Sequence, residues 1–213
     1  LPLAGFIFGL GTVFAVIAFA SRMDRGLQNQ TIILTGMVFS LFVNALITLV
    51  SVLEQNYMQQ LLLWQMGSFS GRSWEQAGIL AAVLIPGTLY LCRFSRQMDM
   101  MTFGEEAAQT MGVDTKRVKL KLIVAASLLT GTAVCFTGTI GFIDLIAPHV
   151  ARKVFGPAHK YALPVSVLFG GAFMVLADLA ARTVMAPTEL PVGAVTALIG
   201  APFFAWVYFK EKA

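Results

Sequence analysis

A helix that crosses a bilayer needs about 20 consecutive, mostly apolar residues, and this chain of 213 residues holds six such stretches. They run over about 1–20, 31–53, 76–92, 120–140, 161–181 and 190–209. A shorter stretch at about 142–155 carries Asp144, Pro148, His149 and Arg152, and alone would make a poor lipid-facing helix. With 57% hydrophobic and 12% charged residues, against about 25% charged in a soluble domain, the chain is no water-soluble globule. The same composition excludes a disordered chain, and a net charge of +4 is no dense nucleic-acid-binding face. The expected fold is all-α, a polytopic transmembrane helical bundle forming one domain over 1–213. Cys92 and Cys135 lie in apolar stretches and offer neither a disulfide framework nor metal-ligand spacing. Because Leu1 opens inside an apolar run without Met or basic leader, the expectation is a carboxyl-terminal part of a longer protein.

The basic residues decide whether the short stretch crosses, since cytoplasmic loops are enriched in Lys and Arg. With seven crossings, 13 of the 15 basic residues fall on one side, around Arg22, Arg93, Lys116 and Arg152 and in the tail with Lys210 and Lys212, leaving Arg72 and Arg182 opposite. Omitting the seventh crossing would split these groups between the two faces. Seven spans and a cytoplasmic carboxyl terminus are therefore expected.

Two connections are longer than the usual 4–6 residues or so. The outer one, 54–75, contains an amphipathic run from Gln60 to Ser68, too short to span, with Trp64 and Trp74 suited to the interface. It predicts a short helix at the outer mouth. The inner one, 93–120, offers Thr102 as an N-cap, Glu105 and Glu106 in a first turn, and Gly112 as a stop. That pattern describes a short cytosolic helix, with Glu105 and Glu106 facing the cytosol and Ala107, Ala108 and Met111 forming an apolar side. Such a helix suits a groove on another protein, the plainer alternative being a solvated connector.

Ionisable groups inside apolar segments are costly and by default suggest function. Asp178 stands four residues before Arg182, which favours a structural i,i+4 pair over a proton relay. Asp144, Pro148 and His149 favour a buried, hydrogen-bonded kink over a metal site. Only two histidines, His149 and His159, are present and no Cys/His/Asp cluster has ligand spacing, so no metal pocket is expected. No nucleophile–base set, no phosphate-binding Gly-Lys-Ser/Thr loop and no dinucleotide-binding glycine motif appears. Chemistry on a substrate is not expected, and the 19 glycines suit close helix packing.

Several stretches taken together resemble the FecCD-type permease subunits of type II ABC importers, which take up ferric siderophores, haem and cobalamin. They are Ile33–Met37, Leu63–Phe69, Gly104–Val113, Gly141–Arg152, Ala177–Arg182, Glu189–Gly193 and Gly200–Phe203, in that order along nearly the whole chain. The resemblance implies a BtuC-like ABC-transporter permease of about ten helices, of which seven are visible here. It implies a second permease copy or paralogue, cytoplasmic ATPase subunits that carry ATP and Mg, a periplasmic or lipid-anchored substrate-binding protein, and no cofactor on this chain. Gly104, Glu105, Glu106, Ala107, Ala108, Met111 and Gly112 match the ATPase-coupling element, and Arg182 matches an arginine that docks the binding protein. Leu34, Gly36, Trp64, Gly67 and Ser68 correspond to pathway and gate. Asp144 departs from the Gly or Val common in the family; with Pro148, His149, Arg152 and Asp178 it is a structural or pathway candidate.

The function implied is import of a ferric siderophore by alternating access, or of cobalamin or haem. An ion-coupled secondary transporter, supported by Asp144, His149 and Asp178, is the rival from another class, followed by a divalent-metal ABC permease and a membrane scaffold.

Overall fold

A computed structural model describes residues 2–24, 28–53 and 58–212. Arg25 and residues 54–57 of the outer loop lie outside them. Among the described residues ten helices follow in order: α1 (Pro2–Met23), α2 (Asn29–Leu53), α3 (Met58–Gln65), α4 (Trp74–Cys92), α5 (Ser95–Met101), α6 (Glu105–Thr110), α7 (Thr115–Thr137), α8 (Ile143–Phe155), α9 (His159–Thr183) and α10 (Val192–Lys212). The fold is an all-α transmembrane bundle, with no strand among the described residues.

All six long apolar stretches are helical, but four rather than six satisfy length and hydropathy for a crossing: α2, α4, α7 and α9. In α1 and α10 the described apolar lengths, Ile7–Met23 and Val192–Val207, are shorter. The boundaries move for local reasons. A capping box starts α4 two residues early, with Ser73 accepting from the Gln76 N–H and Gln76 accepting from the Ser73 N–H. The helix α7 starts at Thr115 because the Asp114 carboxylate accepts the Arg117 N–H at 3.1 Å, and it stops at Gly138, whose φ of 73° suits a residue without Cβ.

The short stretch at 142–155 does pass from one end of the bundle to the other. Its helix α8 has 13 residues and spans only about 20 Å, less than the roughly 30 Å of a hydrocarbon core. Non-helical flanks make up the difference: Thr139 bonds to Gln65 at one end, and His159 to Asp99 at the other. Pro148 lies inside α8 as expected for a kink, and it leaves the Asp144 carbonyl without the usual i+4 donor.

Packing follows small residues. The helix α8 lies along α9, where Ala147, Ala151 and Ala162 are buried and Gly170 sits opposite Ala147. That close approach replaces the hydrophobic effect as the packing force where lipid is the solvent. The helix α7 is flanked by α1 and α4, while α5 and α6 pack on each other and against α9 and α7. Large apolar side chains point outward, Leu41, Leu49 and Leu168 among them, the reverse of a protein built for water.

Candidate functional site

Two clusters of polar ties stand at opposite ends of the bundle. The first is the loop unit of α5 and α6. Thr102 is not the N-cap of α6: it closes α5, its hydroxyl bonding back to the Asp99 carbonyl at 2.7 Å. Gly104 takes the N-cap position instead, with φ 104° and ψ 155°, a region open essentially to glycine alone. At the other end Gly112 (φ 85°) closes a Schellman motif, its N–H bonding to the Gln109 carbonyl and the Val113 N–H to the Ala108 carbonyl. The predicted stop at Gly112 thus holds.

Side-chain directions on α6 differ from the sequence reading. Glu106 is exposed, but Glu105 turns back and pairs with Lys119 of α7. Ala108 is fully buried and Ala107 half-buried, so neither builds an outer apolar face. That face comes from Met111 and from Phe103, which is 79% exposed. Gln109 reinforces the attachment by donating to the Thr115 hydroxyl at 3.0 Å. The loop unit also shares an open polar groove of about 790 Å³ with Gln28, Asn29 and Gln30 at the start of α2.

A second attachment joins α5 to α9. The Asp99 carboxylate accepts the His159 backbone N–H at 2.9 Å and meets the ring Nδ1 at 2.6 Å. It supplies from another helix the cap that Ala158 cannot give. Burial opposes ionisation of Asp99, but the His159 N–H, its ring and its charge outweigh burial and hold the carboxyl below its ordinary range.

The second cluster surrounds the end of α3. The Ser68 N–H bonds to the Thr137 carbonyl at 2.8 Å, and the Thr139 hydroxyl donates to the Gln65 carbonyl. From the other side the first N–H groups of α10 reach in, Val192 to the Gly67 carbonyl at 3.1 Å and Gly193 to the Met66 carbonyl at 3.0 Å. The carbonyl end of α3 thus abuts the N–H end of α10, an alignment favourable to both helix dipoles. Such close approach excludes side chains: a Cβ on Gly138 or Gly193 would collide with the backbone carbonyls of Trp64 or Met66. Gly67, at φ 68°, is buried, while Trp64 is half-exposed.

The remaining candidates are dispersed. Leu34 lines an apolar cavity of about 510 Å³ between α1 and α2, with Thr35 and Phe39, and Gly36 has open space around it. Asp144 is exposed in the first turn of α8, not buried, where its charge complements the helix dipole; Arg152 does the same in the last turn. His149 is half-buried mid-helix. Asp178 and Arg182 pair at 2.8 Å as the spacing predicts. Among the described residues no three His, Cys, Asp or Glu side chains group to hold a metal.

Sequence reasoning missed Phe103, Asp99, Lys119 and Thr139. Lys119 had a readable signal, because Thr115, Val118 and Lys119 share one helix face at i, i+3, i+4 and all three are buried.

The model of the FecCD transport family matches residues 1–210. The chain belongs to the FecCD transport family. Its relatives include the uncharacterized ABC transporter permease protein YvrB of Bacillus subtilis, 37% identical over 99% of this chain and 60% of the relative. The cobalamin import system permease protein BtuC of Halobacterium salinarum is 39% identical over 96% of this chain and 54% of the relative. The hemin transport system permease protein HmuU of Yersinia pestis is 30% identical over 99% and 63%. A solved structure of a metal-chelate type ABC transporter in an inward-facing conformation superposes with a TM-score of 0.89, at 29% identity, over 96% of this chain and 65% of that one. This FecCD chain therefore spans about three-fifths of the length of the proteins it matches.

Proposed function

We propose that this FecCD chain is the membrane-spanning permease of an ATP-driven importer that moves a bulky metal chelate across the bacterial cytoplasmic membrane by alternating access. The observation that carries the reading is a helix unit, α5–α6, held outside the spans by the Lys119–Glu105 ion pair and the His159–Asp99 hydrogen bonds at one end of the bundle, with a sealed outer strap, α3, at the other. An element so firmly attached, presenting Phe103, Glu106 and Met111 outward, has the form of a handle for a partner. ATP and Mg would be held by that partner, and ATP-driven displacement of α6 would be answered by rearrangement at α3.

The first substrate class is a ferric siderophore. Relatives named for cobalamin, haemin and Fe(3+)-citrate support a large chelate in general and make cobalamin and haem the alternatives. The ion-coupled rival has less support, because Asp178 is paired with Arg182 and Asp144 is exposed at a helix terminus. Arg182, exposed at the α3 end, suits a carboxylate on a substrate-binding protein.

The test is uptake of a panel of radioiron-loaded siderophores, haem and labelled cobalamin by cells carrying the complete reading frame, with the partner ATPase active or catalytically dead. Uptake of one chelate that vanishes with the dead ATPase is expected. Uptake that persists without ATP hydrolysis would transfer the reading to an ion-coupled carrier.

A further inference from the structure

Away from both clusters, α4 and α7 border an open trough of about 800 Å³. Small side chains leave the space: Ala82 on α4 and Ala125 on α7 both line it. Gly87, with no Cβ to hold the helices apart, lets Leu129 of α7 come hard against α4. Apart from Tyr90 and Lys121 the lining is apolar. From Ala82 to Tyr90 the trough runs about 12 Å along α4. One leaflet is about 15 Å deep, half of a hydrocarbon core of roughly 30 Å. A spanning helix would need the whole thickness, whereas an acyl chain needs one leaflet.

The two polar liners stand together at the end of the trough shared with α5 and α6. The Lys121 ammonium lies 5.9 Å from the centre of the Phe94 ring, and that ring meets Tyr90 edge-on at 5.1 Å. A ring face steadies a cation without neutralising it, so Lys121 keeps donors to offer. The Tyr90 hydroxyl makes no hydrogen bond among the described residues. Arg93, exposed just past the end of α4, is a second cation at this mouth. Among the described residues neither Lys121 nor Arg93 has a carboxylate partner, whereas Arg117 at the same end is paired with Asp114 at 3.0 Å. The mouth therefore carries unmatched positive charge above an apolar floor. On the topology expected from the basic loops this end faces the cytoplasm, the side on which membranes carry anionic lipid.

We infer that α4 and α7 form a binding site for one anionic phospholipid, with an acyl chain in the trough and the headgroup phosphate held by Lys121, Tyr90 and Arg93. The site goes beyond the transport reading and is independent of the chelate carried.

The experiment places the complete transporter, permease with ATPase, in phosphatidylcholine nanodiscs doped with phosphatidylglycerol that bears a photoreactive diazirine on its acyl chain. Cross-linked peptides are mapped by mass spectrometry. Labelling should concentrate in α4 and the first half of α7, and unlabelled phosphatidylglycerol should displace it while added phosphatidylcholine does not. Lys121→Gln should raise the phosphatidylglycerol needed for half-labelling about fivefold, the worth of one basic contact at a membrane surface, and Lys121→Arg should stay near wild type. Ala125→Trp, which fills the trough, should abolish labelling there, and the two Lys121 variants decide the matter if it folds poorly. Displacement by phosphatidylcholine, an unchanged half-labelling point in K121Q, or full labelling in a folded A125W would each overturn the assignment. So would α4 and α7 left unlabelled because another helix of the complete protein seals the trough.

Discussion

At the residue scale, the cluster at the end of α3 is governed by what its glycines leave out. Gly193→Ala forces a methyl against the Met66 carbonyl, and we expect it to lower stability by about 1–3 kcal/mol, the usual cost of overpacking. Gly36→Ala, with open space around it, should stay within about 0.5 kcal/mol. Thermal midpoints of the two variants in one detergent compare them directly, and equal shifts would contradict the packing seen at α3. Asp99 gives a pH dependence. Its carboxyl titrates below the ordinary range of about 4 in the folded chain, so its stabilisation is complete above that range and disappears as pH falls through the lowered folded value. With 38% of the side chain exposed, screening limits the contribution to under about 1 kcal/mol. Amide exchange at His159 should accelerate in Asp99→Asn at pH 7 and lose its difference from wild type in strong acid. Little of this was legible beforehand, since His159 and Asp99 are 60 positions apart and only the fold brings them together.

At the element scale, the sequence marks apolar length well and terminus chemistry less well. The stretch at 76–92 became α4 with a shift of two residues, because a polar capping box extends a helix past its apolar edge. Thr102 and Gly104 compete for the same start signal, and the structure assigns Thr102 to the preceding helix. The resemblance to known permeases singled out α6 as a coupling element, but helical periodicity could not say that Glu105 bends back to Lys119 while Phe103, outside the helix, faces out. That distinction is measurable. Glu106→Lys and Phe103→Ala should each weaken ATPase association, with Phe103→Ala costing about 1–2 kcal/mol as an exposed aromatic anchor does. Glu105→Lys should instead disturb α6 itself, and E105K/K119E should recover it. Titration of solubilised permease with its ATPase separates the two classes; equal effects of all three single changes would remove the distinction.

At the scale of the whole molecule, charge is distributed by end. The basic loops gather around α5 and α6, and Arg182 is exposed at the opposite end near α3. The positive-inside count identified that asymmetry from sequence, and it also led to the passage at 142–155, where the 13-residue helix α8 has non-helical flanks. Arg182→Glu should weaken docking of the substrate-binding protein, most at low ionic strength, where a rim charge acts at longest range. An affinity indifferent to both mutation and salt would exclude Arg182 from that contact. The substrate was not legible, because relatives that share this scaffold are named for cobalamin, haemin and Fe(3+)-citrate alike.

In the transport cycle proposed above, the seam between α3 and α10 is where the mouth would open, and its hydrogen bonds then set a condition on that opening. When it parts, two carbonyls and two N–H groups lose their partners together, and in a dry bilayer such groups have no substitute. Opening must therefore be accompanied by water entering the seam, and closing by its expulsion. The open mouth is a hydrated state, and lowering water activity on that side should favour the closed one.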